Sequence, residues 1–298
     1  MVHERRLGLH TTVLFGHEQG KYPDGNTVVV RGRDSSMVID PSLSARTAGL
    51  DVDIVALTHG HEDHVAGVSA VRHRVLTVHR ADVAAVRDTD DLMRLYGLPE
   101  ADWPAMTEVV RERFNFDGWP GAVAFAEGET WDLGGVTVRA IAAPGHTAGH
   151  TVFLVEPDGV LVTGDIDLST FGPYYGDETS SLDDFEVTLE MVERIEARHY
   201  VTYHHKGVVD GHDAFAPAVR TYAAVIERRS QALLALLDAP RTFDELVDVG
   251  IVYRAGTRPA IFGTAVEQHT IQRHLARLEQ EGRVFATGAG AAQEWVRA

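Results

Sequence analysis

Short apolar runs separated by turn residues dominate the first two thirds of the chain. Residues 27–31 (TVVVR) and 36–40 (SMVID) flank the turn-like Gly32-Arg33-Asp34 and predict a β-hairpin. Ile54–Leu57 reads as a buried strand stopping at Thr58, and Val75–Val78 as another, with helical spacing over Asp63–Arg72 between them. Residues 81–116 read as largely helical with a break at Leu98-Pro99. The pattern then repeats. Gly135–Ala142, Thr151–Val155 and Val160–Thr163 read as strands, Leu182–Arg198 as an amphipathic helix, and His199–Tyr203 as the strand after it. Two halves rich in strands, each closed by helices, predict an α+β fold: a four-layer αββα sandwich rather than an alternating parallel sheet.

The character changes near Ala218. A long helical pattern covers Ala218–Leu237, and Thr242 with Glu245 forms a capping-box signature for a short helix. Thr264–Glu281 is a further amphipathic helix ended by Gly282, and Arg283–Ala286 and Gln293–Val296 flank a Gly/Ala-rich turn like a wing. This order predicts a winged-helix-like domain over 226–298, behind a catalytic domain over 1–225.

Composition narrows the chemistry. The chain of 298 residues is 44% hydrophobic and 24% charged, enough for a large core. It contains no cysteine, so thiolate metal sites and disulfides are excluded and any metal must be held by His, Asp or Glu. The formal charge is −17, and only Lys21 and Lys206 are lysines, which disfavours nucleic acid as the main partner. Residues 238–298 carry seven arginines against eight acidic residues, without the basic surplus of a DNA- or RNA-gripping module. A structural role follows for that segment: packing on the catalytic domain, shaping its pocket or joining a homodimer. Neither a signal-peptide block nor a membrane-spanning run is evident, so a cytoplasmic protein is expected.

Histidine placement matters more than number. Thr58-His59-Gly60-His61-Glu62-Asp63-His64 sets four good ligands within six residues directly after a strand. Pro144-Gly145-His146-Thr147, Gly164-Asp165 and Tyr203-His204-His205 each also leave a strand end. Strand termini are where a layered fold gathers functional groups.

This ordered set, through roughly residues 25–215, resembles the metallo-β-lactamase superfamily. The resemblance implies one metal on His59, His61 and His146, a second on Asp63, His64 and His205, and Asp165 bridging the two. Of the adjacent His204 and His205, His205 is favoured because His205-Lys206-Gly207-Val208-Val209 is similar to the family's His-Gly-Pro-Val-Ile stretch. Asp40 matches a position that buttresses ligands in the family, with a turn cap as the alternative. His150 has two readings, support of the site or, the favoured one, a structural hydrogen bond. His3, His10, His17, His73, His79, His212, His269 and His274 are read as structural.

Two divalent cations, zinc foremost with iron or manganese as alternatives, would lower the pKa of a trapped water toward neutrality. Asp63 would orient the hydroxide and relay its proton, which makes hydrolysis the expected reaction. The resemblance favours a small thioester, then a lactone or other ester, as substrate. Tyr174 or Tyr175, in Phe171-Gly172-Pro173-Tyr174-Tyr175, would contact it unless this is simply a packed aromatic loop. The rival readings are a single-stranded RNA endonuclease of the same superfamily and a winged-helix nucleic-acid-binding regulator.

Overall fold

Apolar runs with residues of both parities buried become strands covered on both faces, and that pattern builds the core here. The computed structural model describes residues 3–254, 256–290 and 293–298. A first sheet holds seven strands in sequence order: β1 (His3–Arg6), β2 (Thr11–Phe15), β3 (Thr27–Arg31), β4 (Ser36–Ile39), β5 (Ile54–Ala56), β6 (Val75–His79) and β7 (Val123–Phe125). Strands β1 to β4 pair antiparallel and β4 to β7 parallel. A second sheet holds β8 (Thr130–Asp132), β9 (Thr137–Ala142), β10 (Thr151–Glu156), β11 (Val160–Val162), β12 (His199–Val201) and β13 (Val208–Asp210). Among the described residues its only parallel pair is β11 with β12.

The period-two alternation of strand side chains sorts these residues into three layers of core. Val28, Val30, Met37 and Ile39 of the first sheet meet Val138, Phe153, Val155, Val160 and Val162 of the second. The opposite-parity Val29, Val38 and Val55 pack against the helices that follow, α1 (Glu62–Val65), α2 (Val83–Arg87), α3 (Thr89–Tyr96) and α4 (Trp103–Phe114). Val152, Leu154 and Leu161 pack against α5 (Leu182–Glu193) and the first half of α6 (His212–Leu236). The expected αββα layering is therefore what the chain forms.

Some expected elements differ. The helix read over Asp63–Arg72 is only α1 and a 3-10 turn at Val68–Ala70; between them the Gly67 amide donates to the Pro41 carbonyl and not back along the helix. Strands β1 and β2 were not predicted; β1 is a mostly exposed edge strand, HERR, without an apolar signature. The helix read to Arg198 ends at Glu193.

In the C-terminal segment β14 (Arg241–Thr242) leads into α7 (Phe243–Val249), which carries the expected capping box from Thr242 and Glu245. Helix α8 (Gly263–Gln280), β15 (Val284–Thr287) and β16 (Glu294–Arg297) follow, and the three strands form a small sheet. Ala291 and Ala292, at the expected wing turn, lie outside the described residues. Residue 225 sits inside the continuous helix α6. That helix packs Phe215, Val219 and Tyr222 on the second sheet and Leu233 and Leu234 in the C-terminal core, so no linker separates the two parts. Among the described residues no helix is long and apolar enough to cross a membrane.

The fully buried His274 of α8 bridges the two parts, with Nε2 2.9 Å from the Tyr175 hydroxyl and Nδ1 2.9 Å from Ser230 Oγ. Burial, reinforced by Arg229 and Arg277, pushes its imidazole down to about 3. Between the ordinary value of 6.5 and that value, the unfolded chain binds a proton that the folded chain rejects. The His274 contribution to stability is thus complete above pH 6.5 and lost as pH falls toward 3, at up to about 1.4 kcal/mol per pH unit. Thermal melts at pH 7 and pH 5 should show a smaller acid-induced drop in His274→Gln than in the parent; equal drops would remove this account.

Candidate metal centre

The ligand candidates come from strand ends on one rim of the sandwich. Strand β5 ends at Ala56, and His61, in extended conformation, immediately precedes the short helix α1 that carries Asp63 and His64. His146 follows β9 behind Gly145, whose φ is +128° and where a Cβ would stand 2.3 Å from the Phe185 backbone. Asp165 follows β11 behind Gly164, where φ is +53° and a Cβ would meet His150 Nε2 at 2.6 Å. A side chain at either glycine would move the candidate ligand that follows it.

Two groups result, His59 with His61, His146 and Asp165, and Asp63 with His64 and His204, the ligand atoms in each within 4.8 Å of one another. In the first, His146 Nε2 lies 3.1 Å from both His59 Nε2 and His61 Nδ1. In the second, His204 Nε2 is 3.0 Å from Asp63 Oδ2. Asp165 stands between the groups, with Oδ2 3.3 Å from His146 Nε2 and Oδ1 3.0 Å from His64 Nε2 and 3.7 Å from His204 Nε2.

The opposite nitrogen of every one of these imidazoles donates to a fixed oxygen. His59 Nδ1 reaches Thr58 Oγ1 at 3.1 Å, His61 Nε2 reaches Asp177 Oδ2 at 2.7 Å, and His64 Nδ1 reaches Asp40 Oδ2 at 2.9 Å. His146 Nδ1 reaches the Tyr174 carbonyl at 2.9 Å, and His204 Nδ1 reaches the Gly20 and Asp24 carbonyls, each at 2.9 Å. With the outward nitrogens protonated, five inward lone pairs and two carboxylates converge, a donor set suited to divalent cations and to little else. Burial pushes His146 down to about 4 and His59 well below its ordinary range. At His61 burial is outweighed by the Asp177 carboxylate, which raises the ring to about 9.

His205 is not brought to the cluster. It adopts a left-handed φ of +64°, its side chain is 37% exposed, and its nearest carboxylate is Asp167 at 3.7 Å. The physical reason is that the two carbonyls holding His204 turn that imidazole inward, and its neighbour must then leave on the other side.

The profile of the metallo-β-lactamase superfamily matches residues 22–205, more than half of the chain. The chain belongs to this superfamily. Relatives of the chain carry hydrolase names. An atrochrysone carboxyl ACP thioesterase of Emericella nidulans is 24% identical over 87% of this chain and 71% of its own length. A hydroxyacylglutathione hydrolase of Acidiphilium cryptum is 32% identical over 44% of each. A metallo-β-lactamase family protein of Thermus thermophilus shares the fold with a TM-score of 0.70 at 24% identity, covering 92% of this chain and 94% of that one. A β-lactamase domain protein of Burkholderia ambifaria does so at 0.72 and 18% identity, over 99% and 94%. This metallo-β-lactamase superfamily member is an enzyme of the hydrolytic class.

Supporting groups surround the candidate ligands of this superfamily member. Asp40 accepts from the Thr58 amide at 2.8 Å and the Thr58 hydroxyl at 2.7 Å as well as from His64, so it holds the candidate ligand His64 directly and, through Thr58, the start of the loop that carries His59. His150 makes the structural bond expected of it, donating from Nδ1 to the Ala143 carbonyl, while its Nε2 accepts from the Asp165 amide at 3.2 Å. Asp82 and Asp177 had no sequence signal. Asp82 accepts from the Gly60 and Gly149 amides and the Thr147 hydroxyl, tying the two histidine loops together. Asp177 is held in a loop that Arg273 and His269 of α8 bind through backbone carbonyls.

The cluster opens into a cavity of about 410 Å³ with mostly apolar and aromatic walls. Tyr22, Tyr96, Met106 and Phe171 meet Tyr253, Phe262 and Val266 of the C-terminal segment there. Tyr174 lines this cavity, and its hydroxyl donates to Asp177 Oδ1 at 3.0 Å. Tyr175 does not: it is buried toward α8, against His274. The expectation for Tyr175 thus gives way to its alternative, aromatic packing.

Proposed function

We propose that this enzyme hydrolyses thioesters of apolar acyl groups at a two-cation centre. His59, His61 and His146 would hold one cation, Asp63, His64 and His204 the other, and the Asp165 carboxylate would bridge them. The observation that carries this reading is the outward hydrogen bonding of all five imidazoles, which leaves a matched set of inward lone pairs. When bound, two such cations, zinc in the first place, supply Lewis acidity toward the acyl oxygen and acidify water.

The residues of the chain do the rest. Asp63 lines the cavity, and although burial opposes ionisation, His64 and His204 hold its carboxylate below the ordinary range. It therefore stays ionised, an acceptor placed to orient the attacking water and relay its proton to the departing thiol. Water oxygen joins the acyl carbon, the carbon–sulfur bond breaks, and thiol and carboxylic acid leave. The aromatic and aliphatic walls exclude solvent and fit an apolar acyl chain better than a charged one. Among the described residues that line the cavity none is lysine or arginine, which disfavours an RNA strand over the cations. The thioesterase names of relatives that match most of the chain support the thioester over a lactone or other ester.

Purified enzyme should cleave hexanoyl- and benzoyl-N-acetylcysteamine with release of thiol. Chelation should stop turnover and one of zinc, manganese or iron restore it. An enzyme fully loaded with metal yet inert on every acyl thioester tried would overturn the proposal.

A further inference from the structure

A second cavity of about 470 Å³ adjoins the catalytic one, and the two share Phe171 and Tyr253 as walls, with ring centroids 5.9 Å apart. Arg228 and Arg229 of α6 and Arg254, beyond α7, line it, with Thr170 and Thr257 nearby and no carboxylate among the lining residues. On a chain of net charge −17 that is a marked local reversal of sign. Arg229 is only 5% exposed and is fixed: its guanidinium donates to the Pro173 and Phe171 carbonyls and lies 5.3 and 5.2 Å from the rings of Phe171 and Tyr175. Arg228 and Arg254 are exposed, and among the described residues none of the three arginines is within ion-pair distance of an acid. A buried cation answered only by carbonyls and π faces is costly, and an anion in the groove would offset that cost.

We propose that this groove binds the phosphate end of the substrate's thiol carrier, a 4′-phosphopantetheine arm whose sulfur reaches the metal centre past Phe171 and Tyr253. The inference rests on the thioesterase reading and names its carrier. Arginine matches phosphate geometry with paired donors, and the apolar gate suits the uncharged pantetheine stretch. The same phosphate belongs to coenzyme A and to the arm of an acyl carrier protein.

Titration calorimetry on the full, metal-loaded chain tests this with coenzyme A, 4′-phosphopantetheine and unphosphorylated pantetheine as probes. The parent should bind the two phosphorylated probes about tenfold or more tightly than pantetheine. That margin should shrink between about 50 and about 500 mM KCl and vanish in R228A/R254A, whose replaced side chains are exposed. Equal affinity for 4′-phosphopantetheine and coenzyme A would assign recognition to the arm shared with carrier proteins, whereas a clear gain for coenzyme A would assign it to the nucleotide end. In turnover, R228A/R254A should raise KM for acyl-coenzyme A at unchanged kcat and leave N-acetylcysteamine thioesters unaffected. Loss of the phosphate margin in the parent, or its survival in R228A/R254A, would overturn the proposal. An arginine-dependent margin in a chain that hydrolyses no thioester would uphold the site and overturn the thioesterase reading alone.

Discussion

Replacing His204 with alanine should cut thioester turnover by about a hundredfold or more and lower metal content from about two to about one ion per chain. The inward Nε2 of His204 stands 3.0 Å from Asp63 and 3.7 Å from Asp165, so its loss strips one ligand from the second group and leaves both carboxylates facing a gap. His205→Ala is the matched control. Its side chain is partly exposed, 3.7 Å from Asp167 and outside both ligand groups, although it lines the cavity, so its removal should leave metal content at about two ions per chain and lower turnover far less than His204→Ala does. Metal analysis by mass spectrometry and initial rates on one thioester decide the matter. The opposite ranking of the two variants would return the ligand role to His205.

Asp40→Ala should be the most destabilising single substitution near the site. The residue is 1% exposed and accepts from the Thr58 amide, the Thr58 hydroxyl and His64. Alanine would leave three buried donors unanswered, at a cost of about 3–5 kcal/mol, and free the imidazole that presents Nε2 to Asp165. The backbone adds to this, because Asp40 has a φ of +48°, a conformation that aspartate and asparagine tolerate better than alanine. Asp40→Asn keeps the backbone and one acceptor. It should unfold at a higher denaturant concentration than Asp40→Ala yet still lose about 10–100-fold in metal affinity or activity. Parental stability and metal retention in Asp40→Ala would show that Thr58 and His64 find other partners.

Much of the fold and most of the candidate centre could be read from the residues. Continuous apolar runs such as 27–31 and 36–40, bounded by turn residues, can bury both faces only between layers, and the αββα arrangement follows. Ligand type is local chemistry: without cysteine, the His59–His64 stretch, the His146 turn and the Asp165 turn were recognisable, each beside a glycine or a strand end that holds its backbone. The capping box at Thr242 is local in the same way. Distance in the chain hid the rest. Asp177 meets His61 across 116 residues, and Arg254 joins Arg228 only once the segment after α7 has come to lie beside α6, so neither leaves a trace in spacing or periodicity. The choice between His204 and His205 was likewise beyond any local pattern. Adjacent imidazoles are equal as ligands, and it was the carbonyls of Gly20 and Asp24, brought to His204 from the far end of the chain, that turned one of them inward. Local propensity and ligand chemistry act over a few residues, whereas orientation and electrostatic context come from partners that only the folded layers bring together.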